Sequence, residues 1–165
     1  MRATRCRKVD GTTFNISLPV MAHAESTKNV ERVQLAIPTG TETVLLVEDE
    51  TAVRSFIRAV LESSGYRVLE AADGEEGVAR AASYEGRIDV VLTDVMMPRL
   101  GGRQLAEVLK RTRPNVRVLF MSGYTDQPLY QGSDAASVAF LQKPFSPLAL
   151  ARRVREILDV APDSD

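Results

Sequence analysis

Five polar residues that could do chemistry follow closely on apolar runs of this sequence: Glu48, Asp49, Asp94, Ser122 and Lys143. Short continuous apolar runs are typical of strands that are buried on both faces of a parallel sheet. In such a sheet the carboxyl ends of the strands meet at one edge, where ligands and reactive groups gather. We therefore expect three carboxylates, one hydroxyl and one ammonium group to converge there.

Three carboxylates and one lysine leave an excess of negative charge at that edge. Two carboxylates about 4 Å apart repel each other by on the order of 4 kcal/mol at an effective dielectric constant near 20. A hard divalent cation offsets this repulsion, and Mg²⁺ needs only one or two carboxylates besides water. An aspartate beside such a cation and a lysine is equipped to form an aspartyl phosphate.

From Thr43 onward, apolar runs alternate with amphipathic segments. The predicted strands cover residues 44–47, 66–70, 90–92, 116–121 and 138–141, and the predicted helices lie near residues 53–61, 74–84, 105–109 and 146–158. Strand-then-helix units imply parallel strands with helices on both faces. We predict an α/β fold with a doubly wound, five-stranded parallel sheet. Residues 124–137 are the least readable, because Pro128 and Gly132 interrupt any long helix.

Four segments resemble, in the same order, the signature segments of the receiver family of response regulators. They are Val44–Glu50, Leu92–Pro98, Met121–Tyr124 and Phe140–Phe145. The resemblance covers about residues 43–158 and implies a flavodoxin-like fold with strand order 2-1-3-4-5. It also implies a two-component phosphorelay, in which a histidine kinase or a phosphotransfer protein supplies the phosphoryl group.

The resemblance implies a role for each residue at the predicted edge. Asp94 would accept the phosphoryl group, and Lys143 would pair with its carboxylate and then with the phosphoryl oxygens. Glu48 and Asp49 would hold Mg²⁺, together with Asp94 and the backbone carbonyl of Met96. Glu48 stands where an aspartate is commoner, so its longer side chain could reach the ion through water.

The resemblance further implies a switch between Ser122 and Phe140. The Ser122 hydroxyl would bond to the phosphoryl group and move toward it, and the Phe140 ring would turn inward in response. A core aromatic without a switching role is the alternative for Phe140. Such a chain would accept and slowly hydrolyse its own aspartyl phosphate, without being an enzyme in its own right.

Two other classes of protein share this kind of fold. A phosphohydrolase of the haloacid-dehalogenase type needs a second aspartate two residues after its nucleophile, where this sequence has Met96. A flavodoxin-like FMN-binding module needs a phosphate loop rich in glycine and hydroxyl groups after the first strand. The sequence Glu48–Glu50 would repel that phosphate.

The sequence divides into a polar stretch, residues 1–42, a receiver domain, residues 43–160, and a short tail, residues 161–165. We expect residues 1–42 to be a flexible tail or linker. Residues 11–19 resemble the last glycine box and final strand of a histidine-kinase ATP-binding domain. The chain would then be the C-terminal receiver of a hybrid histidine kinase, and a single-domain regulator is the alternative.

Composition and charge restrict the partners and the compartment. The net charge is −1, so nothing favours nucleic acid or a membrane surface. No stretch approaches a membrane span, and the single cysteine, Cys6, fits a reducing cytoplasm. His23 is the only histidine and lies outside any amphipathic helix, so we expect no phosphodonor within the chain. Only seven residues follow Leu158, so we expect no output domain, and the downstream partner is not indicated.

Overall fold

The computed structural model describes residues 37–123 and 139–160. Five strands form one sheet: β1 (Thr43–Val47), β2 (Arg67–Ala71), β3 (Val90–Asp94), β4 (Arg117–Ser122) and β5 (Ala139–Gln142). The described residues also form four helices: α1 (Thr51–Ser63), α2 (Gly74–Ser83), α3 (Gly102–Thr112) and α4 (Pro147–Asp159). Every strand pair is parallel, and the order is β2-β1-β3-β4-β5. The predicted fold class and strand order are confirmed.

Strands β2 and β4 begin one residue later than the sequence predicts, and the predicted first residue of β5, Val138, lies outside the described residues. Tyr66 lies before β2, because its backbone N–H donates to Leu61 O at the end of α1 rather than to the sheet. Val116 lies before β4, because its N–H donates to Arg113 O. In both cases the first residue of the apolar run belongs to the connection that follows a helix and not to the strand. The predicted irregular segment, residues 124–137, lies outside the described residues, as do residues 1–36 and 161–165.

The sheet has a separate hydrophobic core on each face. All five residues of β1 are buried, and its side chains alternate between the two cores. Ile57 of α1 and Val154 of α4 pack on one face, whereas Leu105 and Leu109 of α3 pack on the other. Each fully buried side chain of this size contributes about 2 kcal/mol to folding. Burial on both faces fixes the strand positions and hence the residues that emerge at the strand ends.

The parallel register brings the predicted residues to one edge. Val47 of β1 is paired with Thr93 of β3. The next residues along the two strands, Glu48 and Asp94, therefore emerge side by side. Ser122 of β4 is paired with Gln142 of β5, immediately before Lys143. Ser146 caps α4 as predicted, because its Oγ accepts the Ala149 N–H at 3.2 Å.

Residues 37–42 lead into β1 without regular secondary structure. The Gly40 N–H donates to Ser64 O at 3.0 Å, and a Cβ at Gly40 would overlap the Tyr66 ring. Glu42 Oε1 accepts a hydrogen bond from Arg155 Nη1 of α4 at 2.7 Å. These contacts hold the segment against the amino-terminal end of the sheet.

Candidate functional site

Three carboxylates meet at the carboxyl ends of β1 and β3. Glu48, Asp49 and Asp94 each offer an oxygen, and the three oxygens lie within 4.8 Å of one another. Glu48 is only 1% exposed, whereas Asp49 is exposed and Asp94 is half-buried. The predicted convergence of these carboxylates is therefore observed.

Lys143 reaches this acidic cluster from the end of β5. Its Nζ donates to Asp94 Oδ2 at 2.6 Å and to Glu48 Oε2 at 2.7 Å. Its backbone N–H donates to Ser122 O at 2.8 Å, which fixes the start of the segment after β5. The lysine side chain thus bridges two of the three carboxylates and is itself mostly buried.

The charges of this cluster do not balance. Burial lowers the pKa of Lys143, but the hydrogen bonds and the charges of Asp94 and Glu48 outweigh this effect and raise the pKa overall. Burial raises the pKa of Glu48, and the opposing effect of Lys143 is too small to restore it. One ammonium group faces three carboxylates, so a further cation would be favourable here.

Backbone contacts hold the acidic residues in place. The N–H of Met96 donates to Asp94 Oδ1 at 3.2 Å, so both oxygens of Asp94 have a hydrogen-bond donor. Arg54 Nη1 of α1 donates to Glu48 O at 2.6 Å. The sequence interpretation missed Arg54. Its position near the N-terminus of a helix, where the helix dipole disfavours a cation, was the available signal.

Ser122 and Phe140 lie on the two strands next to this cluster. Ser122, at the end of β4, is 3% exposed. The ring of Phe140 stacks on that of Phe120 with 5.7 Å between the ring centroids, and their backbones are paired in the sheet. The carbonyl of Phe140 accepts a hydrogen bond from Arg153 Nε of α4 at 3.1 Å. The structure thus places Phe140 on an aromatic pair that is close in register to Ser122.

The fold and this acidic edge define a receiver domain. The family described as the response regulator receiver domain matches residues 44–155. The chain therefore belongs to the response regulator receiver domain family of two-component systems, which implies a phosphoacceptor role. The family match also sets aside the phosphohydrolase and FMN-binding alternatives. Among the described residues, no helix is long and apolar enough to cross a bilayer.

Similar proteins include a sensor kinase, a transcriptional regulator and an isolated receiver. The chain is 39% identical over 159 residues to sensor kinase CckA of Brucella abortus (strain 2308), covering 90% of this chain and 17% of that kinase. It is 34% identical over 121 residues to phosphate regulon transcriptional regulatory protein PhoB of Pseudomonas aeruginosa, covering 71% and 52%. The crystal structure of the receiver domain from hybrid histidine kinase CckA is 40% identical, with a TM-score of 0.60, covering 70% and 98%. The chain thus spans about half or less of the two full-length relatives.

Proposed function

We propose that Asp94 is the residue that accepts a phosphoryl group, from the phosphohistidine of a histidine kinase or phosphotransfer protein. The observation that carries this proposal is the position of the Asp94 carboxylate, between the Lys143 ammonium group and the Met96 N–H. Glu48 and Asp49 lie beside it in the acidic cluster. The histidine-bearing partner is inferred from the family.

The proposed transfer forms one bond and breaks one bond. An oxygen of Asp94 attacks phosphorus while the bond from phosphorus to the donor's imidazole nitrogen breaks, and that nitrogen keeps the electron pair. Lys143 holds positive charge at the site where the phosphoryl oxygens arrive, which lowers the cost of their approach. Slow attack by water on the same phosphorus would return the Asp94 carboxylate and release inorganic phosphate.

The donor set fits Mg²⁺. Hard oxygen donors and an uncompensated negative charge are what this ion prefers. Glu48, Asp49, Asp94 and the carbonyl of Met96 would hold it. Bound there, Mg²⁺ would neutralise charge on the incoming phosphoryl oxygens.

The proposed response to phosphorylation involves Ser122 and Phe140. A hydroxyl drawn toward the phosphoryl group vacates space beside β5, and the Phe140 ring would turn into it. The burial of Ser122 and the adjacent Phe120–Phe140 stack support this coupling. The Phe140 face would then present a different surface to a downstream partner.

The preceding part of the chain supports a hybrid-kinase origin. The match to sensor kinase CckA covers 90% of this chain. Residues 44–165 alone make up less than three quarters of this chain. Part of residues 1–43 is therefore similar to that kinase as well. We propose that the chain corresponds to the C-terminal receiver of a hybrid histidine kinase or to a single-domain regulator derived from one. The cytoplasm, where a kinase uses ATP, is the proposed compartment.

Mass spectrometry of the intact protein tests the phosphoacceptor. We expect wild-type protein with Mg²⁺ and acetyl phosphate to gain one phosphoryl mass, and Asp94→Asn to gain none. Asp89→Asn is the matched control, because Asp89 lies at the opposite end of β3 and its Oδ2 accepts the Thr43 N–H. Unchanged phosphorylation of Asp94→Asn would overturn the assignment.

A further inference from the structure

The loop that follows Asp94, residues 95–101, contains a backbone conformation that is rare for its residue type. Arg99 has a φ of 63°, in the left-handed region that favours glycine. Among the described residues, it is the only residue other than glycine with a positive φ. An unfavourable backbone conformation persists where the surroundings hold it in place, and such positions cluster at functional sites.

The side chain of Arg99 explains what holds the loop. Its Nη2 pairs with Oδ2 of Asp73, the residue that caps α2, and the Asp73 side chain is only 7% exposed. The other carboxylate oxygen of Asp73 accepts the Glu76 N–H at 2.9 Å. Asp73 is thus fixed by its own helix and offers Arg99 a rigid anchor.

A second contact joins the same two segments. The backbone of Leu100 lies so close to Gly74 of α2 that a Cβ at Gly74 would overlap the Leu100 carbonyl oxygen. The loop also closes on itself, because the Gly102 N–H donates to Val95 O at 3.2 Å. Both ends of the loop are therefore attached to α2 or to the end of β3.

Met96 lies in this loop, three residues before Arg99. Its N–H donates to Asp94 Oδ1, and its side chain is 64% exposed, so side-chain packing does little to hold the residue. Val95 and Met97 on either side of it pack in hydrophobic clusters, so the position of its backbone depends on these contacts and on the attachments of the loop. At the far end of that loop, Arg99 forms a polar attachment to Asp73, and its Nε also lies 3.6 Å from Glu75 Oε2 of α2.

We propose that Arg99 is a positioning residue for the phosphoacceptor, acting through the ion pair with Asp73 to hold the Met96 backbone against the Asp94 carboxylate. The inference rests on the proposed function for its effect on Mg²⁺ and phosphorylation. The fixed position of the Met96 N–H does not depend on that function. Loss of a comparable outer partner typically lowers metal affinity by roughly tenfold or more.

The first test measures hydrogen exchange of the Met96 amide by NMR in the metal-free protein. Arg99→Gly removes the guanidinium group and suits the left-handed backbone, and Asp73→Asn keeps the cap but removes its charge. We expect faster exchange of the Met96 amide in both variants and partial restoration in Arg99→Lys. Arg87→Gly is the matched control, because Arg87 pairs with Asp89 at the other end of the sheet.

The second test measures Mg²⁺ affinity by calorimetry and the rate of phosphorylation by acetyl phosphate. We expect Arg99→Gly to bind Mg²⁺ roughly tenfold more weakly, while its thermal midpoint stays close to that of wild type. Met96 exchange and Mg²⁺ affinity that match wild type in Arg99→Gly would overturn the inference. Wild-type protein that is not phosphorylated on Asp94 would instead overturn the proposed function, and the exchange experiment would still decide the role of Arg99.

Discussion

Lys143 and Glu48 form an ion pair at the carboxyl edge of the sheet, with 2.7 Å between Nζ and Oε2. Glu48 is almost fully buried, and its paired oxygen is directed at the lysine. Asp49, the next residue, is exposed and belongs to the same acidic cluster. Adjacent carboxylates therefore have different environments, one buried and paired with Lys143 and the other exposed.

We predict that Mg²⁺ binding depends more on Asp49 than on Glu48. Asp49→Ala removes an exposed carboxylate, whereas Glu48→Ala removes one whose oxygen is already bonded to Lys143. We expect calorimetric titration to show a loss of roughly tenfold or more in Asp49→Ala and a smaller loss in Glu48→Ala. Glu50→Ala, one residue further along, is the control. A larger loss in Glu48→Ala would reverse this ranking.

Removal of the lysine charge is expected to destabilise the metal-free protein. Lys143→Met leaves three carboxylates facing one another, and we expect the free energy of unfolding to fall by about 1–3 kcal/mol at neutral pH. Added Mg²⁺ should restore part of the loss. Lys110→Met on the exposed side of α3 is the control. Denaturant titrations with and without Mg²⁺ measure the effect, and equal stability of the two variants would contradict it.

The difference in stability between wild type and Lys143→Met is expected to depend on pH with a definite sign. The pKa of Lys143 is raised in the folded protein, so its contribution to stability is complete below its ordinary value of 10.5. The contribution is lost as the pH rises through the folded-state pKa. On the alkaline side, we therefore expect wild type and Lys143→Met to converge in stability only above about pH 10.5. Convergence between pH 6 and pH 9 would mean that another group is responsible.

Coupling between Ser122 and Phe140 can be followed by aromatic NMR. We expect a bound phosphoryl mimic to shift the Phe140 ring signals in wild type, because the Ser122 hydroxyl moves toward the mimic. The shift should be absent in Ser122→Ala. Ser83→Ala at the exposed end of α2 is the control. Phe140 shifts that persist in Ser122→Ala would show that the ring responds by another route.

The ion pair between Glu42 and Arg155 is expected to matter only when the carboxylate is charged. Burial raises the pKa of Glu42, but the hydrogen bond from Arg155, two backbone hydrogen bonds and the charge of Arg155 together outweigh burial, so the pKa is lowered overall. Its contribution to stability, about 0.5–1 kcal/mol for a partly exposed pair, is present above pH 4.5 and is lost as the pH falls through the folded-state pKa.

Urea titrations of Glu42→Gln and wild type at pH 7 and at low pH measure this difference. Glu62→Gln is the comparison, because Glu62 pairs with Arg58 within α1. A Glu42→Gln deficit that is undiminished at low pH would mean that Glu42 acts through packing rather than charge.

The acidic edge was predictable because it depends only on the order of residues along the chain. Each of Glu48, Asp94 and Lys143 follows an apolar run, and parallel strands bring their carboxyl ends together whatever the helices do. The fold class follows from the same alternation. The first residues of β2 and β4 were less predictable, because Tyr66 and Val116 are apolar and buried without being in the sheet. Their N–H groups donate to Leu61 at the end of α1 and to Arg113 after α3.

The pairing of Arg99 depends on a contact between segments that are distant along the chain. Arg99 and Asp73 are 26 residues apart, and their pairing requires the loop after β3 to lie against the start of α2. No periodicity encodes such docking. A left-handed backbone conformation at an arginine has no sequence signature either, since glycine is the residue typical of that conformation. Long-range polar contacts of this kind appear only once the fold is assembled.

The attachment of residues 37–42 has a consequence for access. Gly40 and Glu42 fix the incoming chain at the amino-terminal end of the sheet, and the acidic cluster lies at the other end, roughly 17 Å away along a five-residue strand. Residues 37–42 and the acidic edge are therefore at opposite poles of the domain. A partner can cover the acidic pole without displacing residues 37–42.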